Sequence, residues 1–232
     1  MKPRSAFFSR PRQKGFTLLE ILVAILIFGI VMATIFGSFN TVFSNSAKLS
    51  QANADDEIAA GCFARITAYL ASIYVPQPPY FKPPGINDPP TAYRVVLDTF
   101  SAGGQEFPRL RFTSLAHTPL NGDQRTGIAE IVYYVMADDD HMVLKRADTL
   151  FPYHDFEARS TDPVLCPHIT ALTIELYDAE GEVHDAWDSD SPDFGRATPQ
   201  AVHLALAMGS GDDARKFETT VKLQVYRDRE RP

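Results

Sequence analysis

Ahead of Glu20 the chain contains no acidic residue, and from Phe16 to Phe39 it contains no basic one. Its other scarcities concern chemistry. No H-E-x-x-H, G-x-S-x-G, G-x-x-x-x-G-K or G-x-G-x-x-G occurs, so the spacings behind a zinc-protease helix, a nucleophile elbow, a phosphate loop and a dinucleotide fold are all missing. Six histidines, His117, His141, His154, His168, His184 and His203, fall in no metal-ligand spacing. Catalysis therefore has no sequence argument, and the chain reads as a non-enzyme without a cofactor. Basic charge is short too, with 22 Lys and Arg against 29 Asp and Glu, a formal −7 over 232 residues. Nucleic-acid binding needs a basic footprint, which this body lacks. A domain lying on anionic lipid is excluded for the same reason. Two cysteines, Cys62 and Cys166, are too few for a disulfide framework.

What is present begins with residues 15–39, GFTLLEILVAILIFGIVMATIFGSF, where Glu20 is the one ionisable side chain. An apolar run of about 20 residues can cross the hydrocarbon core of a bilayer as a helix. Lys2, Arg4, Arg10, Arg12 and Lys14 precede it, a bias that holds the N-terminus in the cytoplasm and sends the remainder across. A secretory signal has a shorter apolar region and a small-residue cleavage site. Neither fits, so the segment is expected to be retained. Glu20 is costly at membrane depth unless paired, which makes it a functional candidate; a Glu near a helix end can also snorkel to the headgroups. Gly29, Ala33 and Gly37 recur at four-residue spacing, a small-residue stripe that would admit a second helix.

The run K-G-F-T-L-L-E ahead of an apolar stretch resembles the class III signal of type IV pilins and type II secretion pseudopilins. The resemblance implies that a prepilin peptidase cuts after Gly15 and N-methylates Phe16, leaving Glu20 as the fifth residue of the mature chain. Loss of the five basic leader residues takes the formal charge from −7 to −12. The new amine on Phe16 would lie about one helical turn from Glu20. In an assembly, the Glu20 of an incoming subunit could neutralise its neighbour's amine in a low-dielectric medium.

Beyond the span, residues 40–75 contain no proline, and Ile58, Cys62, Ile66, Tyr69 (or Leu70) and Ile73 recur at steps of three and four. That spacing is one apolar face of an amphipathic helix, expected to run from Phe16 to Val75 until Pro76 ends it. Cys62 shares this face, where a thiol behaves as a small hydrophobe. The face favours a buried free cysteine, with a Cys62–Cys166 bridge the alternative in an oxidising compartment. Residues 76–91, PQPPYFKPPGINDPPT, hold seven prolines and read as a rigid surface connector.

From residue 92 the pattern is β. Candidate strands are 93–100, 107–115, 128–136, 142–147, 171–178, 200–208 and 217–226. Leu172, Ile174 and Leu176 alternate, as do Val202, Leu204, Leu206 and Met208, and Val221, Leu223 and Val225; this is antiparallel pairing with one buried face. Hairpin turns are expected at Asp138–His141, Ala179–Glu182 and Gly209–Asp213. Residues 151–168 fit no period and read as disordered-looking. Asp185, Asp188, Asp190 and Asp193 could supply calcium with oxygens, yet they lack the spacing of a calcium loop and read first as a solvated acidic surface.

The order of the body narrows the resemblance. A strand, an acidic turn and a strand with Lys-Arg (Ile131 to Arg146) precede a turn with a tryptophan (Tyr177 to Ser189), and then Thr198-Pro199-Gln200-Ala201-Val202-His203-Leu204. This order is similar to that of J-type minor pseudopilins of type II secretion systems. It implies an α+β pilin-like fold: a leader over 1–15, a long helix over 16–75 with its span at 16–39, a connector over 76–91, and a β-rich periplasmic domain over 92–232. It also implies a single-pass protein of the bacterial inner membrane and a place in the pseudopilus tip complex. The implied partners are the prepilin peptidase, the I-type and K-type minor pseudopilins, the major pseudopilin and the inner-membrane assembly platform. A minor pilin of a type IV pilus would carry the same signal, and a membrane-anchored periplasmic binding domain could borrow it.

Overall fold

The computed structural model describes residues 15–85, 87–117, 125–139, 141–209 and 214–229, and divides the chain into two compact units, Met1–Asn53 and Ala54–Pro232. One α-helix, α1, spans Leu18–Ala71 and contributes to both. In the first unit its apolar side chains, from Leu18 to Phe43, are exposed. The hydroxyls in this half turn inward to the helix's own carbonyls: Thr34 Oγ1 donates to Val31 O at 2.8 Å, Ser38 Oγ to Thr34 O at 3.0 Å and Thr41 Oγ1 to Gly37 O at 3.0 Å. Polar groups satisfied in this way present no unmet donor to an apolar surrounding.

In the second unit α1 buries Ala59, Cys62, Ile66 and Leu70. Ile58, expected on this face, is 36% exposed. Ala59 takes the buried place at this end of the face, while Cys62, Ile66, Leu70 and Ile73 are buried as the spacing requires. Burying Ile66 and Leu70 contributes about 2 kcal/mol each. The helix stops at Ala71, four residues before the expected end. The segment after it changes partners: Ile73 bridges Ser114, Tyr74 N donates to Thr113 O at 2.8 Å, and Leu115 N donates to Ser72 O at 2.9 Å. Ser114 Oγ donates to the carbonyls of Tyr69 and Ser72, groups a helix C-terminus leaves unpaired.

Among the described residues, nine strands make one antiparallel sheet: β1 Val96–Ala102, β2 Gln105–Ser114, β3 Ala129–Asp138, β4 His141–Leu150, β5 Val164–Tyr177, β6 Val183–His184, β7 Trp187–Asp188, β8 Ala201–Met208 and β9 Arg215–Lys222. Their spatial order is β7-β1-β2-β3-β4-β5-β8-β9, with β6 beside β5. This long apolar helix followed by a curled antiparallel sheet is the α+β arrangement expected of a pilin-like fold. The alternating residues of β5 and β8 are buried as their period requires, and so are Val221 and Leu223. Val225 is 40% exposed, because β9 ends at Lys222 and the chain turns away. Asp138 pairs with His141 across the β3–β4 turn, and Gly181, at φ 83°, serves the turn after β5. Ser210–Asp213 lie outside the described residues.

The largest departure is at 151–168. Residues 164–168 form the first part of β5, and 151–163 pack on the outer face of β3 and β4. Tyr134 Oη donates to Asp162 Oδ2 at 2.8 Å and accepts from Arg159 N at 3.1 Å. The buried Lys145 ammonium donates to Ser160 O at 2.7 Å and Asp162 O at 3.2 Å. These two anchors are cross-strand partners on β3 and β4, and they hold the segment mainly through its backbone groups, so no side-chain period announces it. Within β5, Leu144 pairs with Cys166 and Met142 with Ile169, which sets one extra residue on β5 against β4. Pro167, which cannot donate to a ladder, falls in this bulge.

The proline connector follows the surface as expected, except that Phe81 is buried beneath the Arg227 guanidinium, 3.4 Å from its ring centre. Gln77 Nε2 adds a hydrogen bond to Tyr226 O at 3.0 Å.

Candidate functional site

The N-terminal stretch is organised by Thr17 and Glu20. Glu20 Oε2 accepts from Thr17 N at 2.9 Å and from Thr17 Oγ1 at 3.0 Å, while Glu20 N donates to Thr17 Oγ1 at 3.3 Å. This is a reciprocal capping box, which satisfies donors that the first helical turn leaves open. Its sequence sign, Thr-x-x-Glu before an apolar run, is present in the chain, and motif reading that stopped at Glu20 passed over Thr17. With Gly15 attached, the nitrogen of Phe16 is an amide. The charge partner imagined for Glu20 exists only after scission, and until then the carboxylate belongs to the cap. Phe16 is 85% exposed. Lys2, Arg4, Arg10, Arg12 and Lys14 lie outside the described residues.

Gly29, Ala33 and Gly37 stay exposed. A Cβ added at Gly29 or Gly37 meets nothing within 4 Å, so close packing inside this chain does not account for either glycine. Leu18–Ser46 is long and apolar enough to cross a membrane.

The four aspartates proposed for calcium are not assembled around a common point. Asp188 pairs with Arg94 at 2.9 Å, and Asp190 accepts from Thr91 N at 2.6 Å and Thr91 Oγ1 at 2.8 Å. Asp193 accepts from Ser191 Oγ at 3.1 Å, beside the short helix Pro192–Phe194, and Asp185 is exposed. Asp188 and Asp190 fasten β7 and the loop after it to Arg94, just before β1, and to Thr91 at the end of the connector.

A different set does converge. Asp178, Glu182 and His184 each bring one ligand atom within 4.8 Å of the others. Asp178 is already fully engaged: Oδ1 accepts from Glu180 N at 3.0 Å and Glu182 N at 2.8 Å, and Oδ2 from His184 Nε2 at 3.1 Å and Arg229 at 3.3 Å. Burial pushes the Asp178 carboxyl up, but the bonds from His184, Glu182 and Glu180 outweigh it and hold it below its ordinary value. The Arg229 guanidinium supplies the positive charge that a metal would otherwise bring. His184 lies edge to face against Trp187 and Phe194, with ring centres 5.2 and 5.6 Å away, while those two rings stack on each other at 4.4 Å. The set is a structural latch that closes the turn after β5.

A buried polar group missed by sequence reading lies near the end of α1. His117 Nδ1 meets Asp148 Oδ1 at 2.7 Å, Arg146 pairs with the same carboxylate, and the Arg146 guanidinium lies 4.0 Å over the ring of Tyr69. These residues come from three segments, α1, the stretch after β2 and β4, and only the fold assembles them.

Cys62 and Cys166 are bonded, correcting the expectation of a free buried thiol. Their Cα atoms are 5.8 Å apart, inside the normal range for a disulfide, and both residues are buried. Cys62 is buried on the helical face that its spacing predicts. The strand that carries Cys166 has no such periodic sign, and without it nothing in the sequence places the second sulfur opposite the first.

Residues 10–36 match the family model described as the prokaryotic N-terminal methylation motif. The match spans Gly15, Phe16 and Glu20 and gives the chain a type IV pilin-like prepilin signal, which implies processing by a prepilin peptidase and assembly of the pilin type. No curated protein matches the chain.

Proposed function

We propose that this chain is a minor pseudopilin of a type II secretion system, a non-catalytic subunit of the pseudopilus tip complex that primes assembly for protein secretion. The observation that carries this reading is the methylation motif over 10–36 with Glu20 inside the span. The peptidase cuts after Gly15, Phe16 is methylated, and the new amine draws on the carboxylate that Thr17 holds beforehand. Incorporation then rests on the exchange of Glu20 from its own cap to a neighbour's amine, with helix packing through Gly29, Ala33 and Gly37. The J-type assignment and its partners, the I-type and K-type minor pseudopilins, the major pseudopilin and the assembly platform, rest on the order of segments from Ile131 to Leu206. The basic leader supports an N-terminus in the cytoplasm. The Cys62–Cys166 bond supports a periplasmic domain, since such bonds persist in oxidising compartments.

The test is a clean deletion in the source organism, read by proteomics of the culture supernatant and by a count of surface pili. Loss of several secreted proteins with pili intact is the expected result. Loss of pili with secretion unchanged would move the chain to a type IV pilus, whose minor pilins carry the same signal. No change in either would overturn both readings in favour of an anchored binding domain.

A further inference from the structure

Of the described histidines, His117, His184 and His203 each spend a ring nitrogen on Asp148, Asp178 or Thr220. His141, His154 and His168 do not, and of these His141 and His168 stand together. Their rings meet edge to face with centres 4.4 Å apart at 73°, both side chains are exposed, and neither ring nitrogen bonds to a described residue. Two elements bring them together. His141 opens β4 directly after the acidic turn, and His168 lies in the β5 bulge between Cys166 and Ile169.

The backbone of His168 is unusual. Its φ is +53°, the left-handed region that costs an L-residue with a Cβ about 1 kcal/mol or more. Such a residue inside a strand persists only where its surroundings fix it, and these outliers cluster at functional sites. Here the outlier sits at the residue whose ring meets His141. The surroundings favour a cation, because Asp138 and Asp139 are exposed in the turn just before His141 and the chain is acidic overall.

We propose that His141 and His168 form a two-imidazole site for a divalent transition-metal ion of the Zn²⁺, Ni²⁺ or Cu²⁺ class. Neutral imidazole suits these metals, and water completes the coordination. The ion would clamp β4 to β5 where their ladder is least regular, two residues from Cys166. This site is separate from the N-terminal signal, and the proposal stands whichever pilin-type assembly the chain joins.

The experiment titrates Zn²⁺ into the untagged full chain in detergent micelles, read by calorimetry and by thermal unfolding. One saturable site is expected, with Tm rising as Zn²⁺ is added. His141→Ala and His168→Asn should each weaken binding about a hundredfold, since the second imidazole otherwise acts intramolecularly. Asn tolerates the left-handed conformation, so the latter variant keeps the fold of the bulge. His154→Ala and His203→Ala should leave binding unchanged. Absence of saturable binding, or equal binding and equal Tm shifts in the His141→Ala/His168→Asn double variant, would overturn the site.

Discussion

The two parts of α1 solve opposite problems with the same secondary structure. From Leu18 to Phe43 nearly every residue is apolar and exposed, so this half has no hydrophobic partner within its own unit. From Ala59 to Leu70 only one face is apolar, and that face is buried against the sheet. The first half is therefore stabilised by what surrounds the chain, and the second by the chain itself. Changes in the first half should alter processing and assembly while leaving the stability of the domain untouched. Changes in the second should do the reverse.

The most severe break of this contrast is predicted at Gly15. Gly15→Leu should abolish the mature-sized band on a gel while the thermal unfolding of the domain stays where it was; a mature band from that variant would contradict the cleavage assignment. Next comes Glu20. Glu20→Ala should be cut normally yet assemble poorly, measured by crosslinking to neighbouring subunits. Glu20→Gln sharpens the result, because its carbonyl still accepts from Thr17 N while the charge is gone. If Gln assembles as wild type, the cap and not the charge is what assembly needs.

In the second unit, Cys62→Ser should cost about 3 kcal/mol by chemical denaturation, since the bond closes a long loop, with peptidase processing unchanged. The smallest effect is expected at Asp178. Asp178→Asn should cost about 2 kcal/mol at neutral pH, because buried donors lose a charged acceptor. The sign with pH follows from its depressed pKa: the carboxylate's contribution is present above the ordinary aspartate value, about pH 4, and is lost as pH falls through the lower native value. Unfolding curves of variant and wild type should therefore converge as the solution is acidified below that point.

The same division governs what the residues disclosed in advance. The exposed half of α1 is legible because its surroundings are uniform: an apolar run, a basic leader and one buried-depth carboxylate need no tertiary context. The alternating strands β5 and β8 are legible for a similar reason, since one face meets core and the other solvent. Sequence reading failed where the partner is remote. Lys145 and Tyr134 hold 151–163 through bonds to backbone carbonyls, an amide and a carboxylate, and Pro167 is admitted only by a bulge that β4 defines. Because 151–168 shows no period, the sequence pattern assigns Cys166 no position, and nothing in it favours the disulfide. The two-residue strands β6 and β7 are too short for any period to show. Thr17 is a separate case, a local signal that was present and went unread.

The disulfide also decides where a mechanical load would go. Cys62 and Cys166 are 104 residues apart, and β1 to β4 all lie within the loop they close. A pull applied along α1 reaches Cys62 and crosses to β5 by a covalent bond, entering the sheet at an interior strand. The four strands in the loop are left out of the force path, like slack rope on one side of a knot. Tension on the anchor would then enter the sheet at β5, between β4 and β8, and not at an edge strand.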